Sequence, residues 1–278
     1  MTMPDTQPLL WSDLAWPEIG ALFDARPTEV ALLPVGATEQ HGPHLPSGTD
    51  TILANAICEA VSVQTRAMVL PPIWLGCSYG HGRNLPSTLS LSPEGLAGVV
   101  RQTIEWASLS GLRRFLMVNA HFGNHPSLMV ASDHLRLERP DIRAGVVGWW
   151  SADAEVAAET AADGDDIHAN RTETSLMLAV APHLVNLDRL SSSDDPDRTA
   201  NLVFRYTATS LSTNGVTGRP SEASTELGRH LFSRTVAAIS ALVERGRMEE
   251  PPLVDHIPAV APLLPDPSSP STIQETER

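Results

Sequence analysis

The 278-residue chain carries a formal net charge of −14, so nucleic acids and anionic membrane surfaces are poor partners, because their phosphates would be repelled. Its 42% hydrophobic content supports a sizeable core, and two cysteines, Cys58 and Cys77, exclude a disulfide framework or a thiolate zinc cluster. There is neither a basic start followed by an apolar segment nor a run of about 18 apolar residues. We therefore expect a cytoplasmic protein that acts on a small molecule or a peptide.

Strand-like and helix-like segments alternate along most of the chain. Short apolar runs predict buried strands at residues 30–36, 67–74, 113–121 and 142–150. Helical spacing of apolar residues predicts helices at 50–64, from Pro93 to just before Gly111, at 124–138, at 173–182 and at about 221–247. The alternation predicts one α/β domain, residues 1–249, whose mostly parallel sheet is flanked by helices on both faces. Residues 250–278 are rich in proline and predict an extended tail.

Four potential metal-binding side chains follow the first predicted strand, in the stretch "LPVGATEQHGPHLPSGTDT". Glu39 and His41 are two residues apart, so in an extended segment both leave the same side, and Asp50 can return to them from the helix start. Carboxylate and imidazole groups suit zinc or another divalent transition metal. Alternatively, Asp50 is a helix N-cap, and His41 and His44 are loop histidines bonded to the backbone.

Three further histidines and one acid follow later in the chain. His121 emerges directly from the predicted strand in "VNAHFGNH", at the edge where a parallel sheet exposes its functional loops. In "DDIHANRTETS", His168 and Glu173 are five residues apart, so the backbone must be irregular if both face one site. Glu173 is otherwise a first-turn helix acid. His81, in "GCSYGHGRNLPSTLS", either bends over a site or lies exposed on its glycine-flanked loop.

Five ordered motifs resemble the creatininase (creatinine amidohydrolase) family, which includes creatininase, a formamidopyrimidine-type deformylase and the mycofactocin precursor peptidase. The motifs are "PVGATEQHGPHLPSGTDT", "LPSTLSL", "VNAHFGN", "HANRTETS" and "NGVTGRPSEASTELGR", within about residues 28–245. "RTETSLML" and "NGVTGRP" are closest to the peptidase branch, from which the chain diverges elsewhere. The resemblance implies a single α/β domain with two divalent metals at the carboxyl ends of the strands, in a homo-oligomer that is often a hexamer.

The resemblance also implies a ligand set. Creatininase has a glutamate where this chain has Gly123, so we expect Glu173 to supply the remaining metal contact, and we do not expect creatinine to be the substrate. The metals suited to these groups are zinc and manganese, with iron also possible. The ligands implied are Glu39 and His121 for one ion, His41 for the other and Asp50 as the bridge, with Glu173 as the candidate for the remaining contact.

The expected reaction is hydrolysis of an amide C–N bond in a small cyclic or N-acyl substrate. Two metals would hold a hydroxide that attacks the carbonyl, and His168 would protonate the departing nitrogen, with Glu173 beside it. Two alternatives stay open: a metallopeptidase that trims a short precursor peptide, and a non-catalytic metal-binding scaffold. The residues expected to line the substrate pocket are Tyr79, His81, Phe122, Trp149, Trp150 and Asn170, with core packing as the alternative for both tryptophans.

Overall fold

The computed structural model describes residues 7–26, 28–82 and 85–252. The strands in these ranges are β1 (Leu9–Leu10), β2 (Val30–Val35), β3 (Met68–Val69), β4 (Arg114–Asn119) and β5 (Arg143–Gly148). The α-helices are α1 (Trp16–Ala25), α2 (Thr49–Thr65), α3 (Pro93–Ser108), α4 (His125–Glu138), α5 (Ala154–Ala161), α6 (Arg171–Val180), α7 (Leu187–Leu190), α8 (Ala208–Leu211) and α9 (Thr225–Met248).

The five strands form one parallel sheet in the order β1-β3-β2-β4-β5. After β2 the chain moves to one side to form β3, and then crosses to the other side of β2 to form β4. Loops that leave neighbouring strands at such a crossover diverge and open a crevice at the carboxyl ends of the strands. The sheet thus brings the segments after β2 and β4 together.

Alternate side chains of β2 enter two separate apolar cores. Leu32 packs on the face covered by α2, α6 and α9, whereas Leu33 packs on the face covered by α1, α3 and α4. A strand buried on both faces needs apolar residues throughout, as the sequence shows. The predicted α/β class, with helices on both faces of a parallel sheet, is confirmed.

Capping and proline chemistry explain several boundaries. The Ser92 side chain accepts a hydrogen bond from the Gly95 amide at 3.0 Å, so α3 begins at Pro93 as predicted. The strand predicted at 67–74 has only two ladder residues, because the two prolines that follow cannot donate to a ladder. Elements β1, α1, α5, α7 and α8 were not predicted.

The C-terminal tail predicted at 250–278 lies outside the described residues from 253 onward. The boundary at residue 249 therefore stays a prediction. In the described part of the chain, no helix combines the length and apolar character needed to cross a membrane.

Candidate metal centre

The loop between β2 and α2 brings its two ends into contact. A Cβ on Gly36 would lie 2.4 Å from the Cα of Thr51, so these backbones touch. Within the loop, the Glu39 amide donates to the carbonyl of Ser47 at 2.9 Å. This closed path returns Asp50 to the side of Glu39, although eleven positions separate them along the loop.

Asp50 lies between two histidines that come from different loops. Its Oδ1 is 3.1 Å from Nε2 of His41, and its Oδ2 is 3.6 Å from Nδ1 of His121. The same His121 nitrogen is 3.1 Å from Oε1 of Glu39. All four side chains are buried, so their charges interact without much screening by water.

Two triads of potential ligands share Asp50. Glu39, Asp50 and His121 offer ligand atoms within 4.8 Å of one another, and so do His41, Asp50 and Glu173. A third set, Glu39, His41 and His168, meets the same distance limit. The five side chains that the sequence predicts as ligands thus lie together in one cluster.

The buried carboxylates lack partners that a cation would supply. Both oxygens of Glu39, and Oδ2 of Asp50, make no hydrogen bond to any described residue. The nearby histidine nitrogens are close to Glu39 without the alignment of a hydrogen bond. A buried carboxylate oxygen without a hydrogen bond is costly, whereas a divalent cation between these atoms would satisfy it. The donor set therefore fits divalent metal ions.

Both candidate ligand histidines are oriented through their other ring nitrogen. Nε2 of His121 donates to the carbonyl of Cys77 at 3.0 Å, and Nδ1 of His41 lies 3.2 Å from the carbonyl of Glu39. In the neutral rings these bonds leave a lone pair facing the carboxylates. Metal-binding histidines in proteins are commonly held in this way.

The start of α6 directs His168 and Glu173 into the same cluster. The intervening Ala169 has a left-handed backbone with φ 51°, the irregularity that the five-residue spacing requires. Glu173 Oε2 also accepts the Ala169 amide at 2.5 Å, so Glu173 serves both as a helix-start acid and as a member of the cluster. His168 Nδ1 lies 3.6 Å from Glu39 Oε1.

Burial and neighbouring charges shift the pKa values of the carboxylates and histidines of the cluster. Burial alone would raise the pKa of Glu39, but His121 and His81 outweigh it and hold that pKa well below its usual value. Burial alone would lower the pKa of His41 and His121, yet the adjacent carboxylates raise these to about 10 and about 9. Burial, helped by Asp50 and Glu39 and opposed by His41, raises the pKa of Glu173 to about 7.

Four of the six expected pocket residues lie in or beside the cluster. His81 is buried, with Nε2 3.1 Å from Glu39 Oε1, so it belongs to the cluster rather than to an exposed loop. Phe122, which follows His121, stacks on Trp150 with ring centroids 3.9 Å apart and is 37% exposed. Tyr79 lies two residues before His81 on the same short turn and is 60% exposed.

The other two expected pocket residues need correction. Trp149 is 0% exposed and belongs to the apolar core that also contains residues of α2. Asn170 is also 0% exposed and caps α6, its Oδ1 accepting the Glu173 amide at 3.0 Å. Neither side chain reaches a solvent-accessible pocket.

Gln40 was missed by the sequence analysis, although it is central to the cluster. Its side-chain nitrogen lies 2.9 Å from Nε2 of His168 and 3.1 Å from Nδ1 of His81. The same nitrogen is 2.9 Å from the carbonyl of Gly215. An uncharged amide between two histidines of the cluster gives little signal in the sequence, because its partners are distant along the chain.

Comparison with known proteins decides the family. The model of the creatininase family, described as creatinine amidohydrolase, matches residues 12–243. The chain belongs to the creatininase family. It is 34% identical over 220 residues to the mycofactocin precursor peptide peptidase of Mycobacterium ulcerans (strain Agy99), covering 74% of this chain and 80% of that protein.

Solved creatininases share the fold. A crystal structure of creatinine amidohydrolase (creatininase) superposes with a TM-score of 0.78 at 30% identity, covering 87% of this chain and 99% of that one. A mutant creatininase of the Zn–Zn type superposes with a TM-score of 0.75 at 30% identity, covering 85% and 97% of the two chains. The creatininase-family protein described here is accordingly a metal-dependent amidohydrolase, an enzyme that acts on amide C–N bonds.

Proposed function

We propose that this protein is a binuclear amidohydrolase that cleaves the C–N amide bond of a small cyclic or N-acyl substrate. The observation that carries this proposal is the pair of buried ligand triads that share Asp50. When bound there, two divalent ions, zinc or manganese, would lower the pKa of a water toward about 7 and polarise a carbonyl oxygen. The residues proposed to hold them are Glu39 and His121, His41 and Glu173, and Asp50 between the pairs.

His168 is proposed to move the proton that this hydrolysis requires. Its Nε2 hydrogen-bonds to the backbone carbonyl of Gln40 at 2.7 Å, so in the neutral ring Nδ1 carries the lone pair. Burial and the charges of His81 and His41 hold the pKa of His168 well below its usual value. The resting ring is therefore neutral, and the lone pair on Nδ1 is free to accept a proton from the attacking water and to deliver it to the departing nitrogen as the C–N bond breaks.

The proposed bridging role is tested by counting metals in Asp50→Asn, which keeps the shape of the side chain. We expect about two zinc or manganese ions per wild-type chain, and loss of both ions and of turnover in the variant. Glu29→Gln is the matched control, because Glu29 is a buried carboxylate beside the opposite end of β2. A folded Asp50→Asn protein that kept both ions and full turnover would remove Asp50 from the site.

The second candidate function is a peptidase that trims a short peptide. It is favoured by the 34% identity to the M. ulcerans peptidase. Gly123 argues against creatinine as the substrate, because creatininase has a glutamate at this position. Turnover of creatinine, other lactams, N-acyl amides and short peptides should be compared at equal protein and zinc concentrations. We expect the lactam or N-acyl set to give the highest kcat/KM, and a higher value for peptides would favour the peptidase.

We also propose that the protein forms a homo-oligomer, with a hexamer as the assembly to test first, in the cytoplasm. In support, the adjacent helices α3 and α4 expose large apolar side chains, among them Trp106 and Leu109 at or beside the end of α3 and Leu137 on α4. Exposed apolar patches of this kind commonly mark contact surfaces. Light scattering coupled to gel filtration would give the assembly size, and a monomer at micromolar concentration would contradict the proposal.

A further inference from the structure

We propose that Gln40 is a positioning residue that gives two histidines opposite roles. It places a proton on the site-facing nitrogen of His81 and leaves a lone pair on the site-facing nitrogen of His168. His81 then donates a hydrogen bond to the carbonyl oxygen of the substrate and is not a metal ligand. The catalytic part of this inference rests on the proposed amide hydrolysis.

The orientation of the Gln40 amide is fixed by two backbone groups. Its Oε1 accepts the Gly42 amide at 2.9 Å, and its Nε2 donates to the carbonyl of Gly215 at 2.9 Å. A backbone N–H can only donate and a carbonyl can only accept, so the amide cannot be turned over. Gly215 has φ 86°, and a Cβ there would lie 2.0 Å from Oε1, which explains why a glycine stands at this position.

One amide hydrogen of Gln40 remains, and His81 receives it. The competing acceptor would be Nε2 of His168, but that nitrogen lies 2.7 Å from the Gln40 backbone oxygen, which needs a donor. Nε2 of His168 therefore carries a proton and cannot accept another. The second amide hydrogen of Gln40 goes to Nδ1 of His81 at 3.1 Å.

The nitrogens of His81 and His168 that face the site consequently differ in protonation. In neutral His81 the proton must be on Nε2, the atom that lies 3.1 Å from Glu39 Oε1. In neutral His168 the site-facing atom is Nδ1, which has no proton. The ring centroids are 4.4 Å apart, so a donor and an acceptor stand side by side. A protonated nitrogen cannot bind a cation, although His81 is as close to Glu39 as the candidate ligand His121.

Nitrogen chemical shifts and long-range proton–nitrogen couplings report histidine tautomers directly. We would record them on the zinc-loaded full chain labelled with 15N-histidine, assigning signals with His81→Gln and His168→Gln. In wild type, we expect the Nε2–H tautomer for both rings. Gln40→Glu replaces the donor with an acceptor, so His81 should switch to Nδ1–H while His168 does not. A wild-type His81 in the Nδ1–H form, or no change in the variant, would overturn the proposal.

Two further variants separate a positioning role from a general loss of structure. If Gln40→Glu does not fold, Gln40→Leu is the substitute, because leucine neither donates to nor accepts from His81. We expect His81 to be a mixture of the two tautomers in Gln40→Leu, and a pure Nε2–H signal would contradict the inference. Ser62→Ala is the control, because Ser62 makes buried hydrogen bonds to the Leu9 amide and the Ala67 carbonyl, and we expect it to change neither tautomer.

Turnover tests the donor role of His81. We expect His81→Leu to keep both metals and to lose about 100-fold in kcat, the usual effect of removing one donor to a developing oxyanion. His81→Gln keeps an N–H and should recover part of this loss. Loss of metal in His81→Leu would make His81 a ligand and overturn this inference, whereas the Asp50→Asn experiment would still stand for the proposed function.

Discussion

Gly123 packs so closely against His121 that a Cβ on the glycine would lie 2.4 Å from the histidine Nε2. It would also lie 2.4 Å from the Cys77 carbonyl that orients the ring. A side chain at 123 would therefore displace a proposed ligand, and in this protein that position cannot supply a metal-binding glutamate without rearrangement. Glu173, which lies in a triad with His41 and Asp50, is the residue that we propose for the remaining contact.

Gly123→Ala should weaken metal binding and stability together. We expect the metal affinity to fall about 10- to 100-fold as His121 moves, and the free energy of unfolding to fall by about 1–3 kcal/mol through overpacking. Gly80→Ala is the matched control, since a Cβ there meets no atom within 4 Å. Titration calorimetry and chemical unfolding would measure both quantities, and equal behaviour of the two variants would contradict the packing argument.

His168→Ala should separate proton transfer from metal binding. The ring lies outside the two triads that share Asp50, so we expect two metals per chain to be retained. Loss of a positioned proton carrier typically lowers turnover by 10²–10⁴. Metal analysis and kcat would be measured on the same sample. Unchanged turnover would remove His168 from the mechanism, and loss of one metal would make it a ligand instead.

Glu173→Gln should lower the metal content from two ions to one. The amide oxygen of the variant can still accept a hydrogen bond from the Ala169 N–H, so the start of α6 should persist. The negative charge that would help His41 and Asp50 to hold an ion is lost. Glu159→Gln is the control, because Glu159 pairs with Arg171 at the outer side of the same helix. Retention of both ions in Glu173→Gln would show that the second ion is held without this carboxylate.

Metal affinity should rise with pH. The pKa of His41 at about 10 and that of His121 at about 9 mean that, without a cation, both rings hold an extra proton at pH 7. A metal must displace these protons, so raised pKa values oppose binding at low pH. Because two protons are displaced, we expect the logarithm of the metal association constant to increase by up to about 2 per pH unit between pH 7 and 8.5. Competition with a chromophoric chelator would measure this constant. A flat profile would contradict this proton displacement.

The fold was predictable where one physical constraint dominated. β2 and β4 lie within two residues of the predicted strands, because strands buried on both faces of a parallel sheet must be apolar along their length. β5 also lies within two residues of its predicted position, but as the edge strand it is only partly buried, contrary to the buried strand expected there. β1 has two residues and α1 buries only Ile19 and Phe23, so neither leaves a strong periodic signal. Tertiary contacts with the sheet, rather than local sequence, hold these elements in place.

The acids and histidines of the candidate site were predictable from the sequence, but the residue that positions them was not. Glu39, His41 and Asp50 were identified because their side-chain chemistry and spacing suit a metal. Gln40 contacts Gly215 and His168, which are 175 and 128 residues away, and no local pattern can indicate such contacts. For Trp149 the sequence left a pocket wall and core packing both open, since a large side chain after a strand can end in either, and the structure places it in the core.

The contact between Gly36 and Thr51 also limits how related sequences can differ. Because the chain leaves and re-enters the same point, an insertion or deletion between these residues would change the position of Glu39 relative to Asp50. Residues 196–211 hold none of the proposed ligands, so their length is under no such restriction. Among related sequences, we expect insertions and deletions to accumulate within residues 196–211 and to be absent between Gly36 and Thr51. Substrate specificity could then change while the hydrolytic centre stays the same.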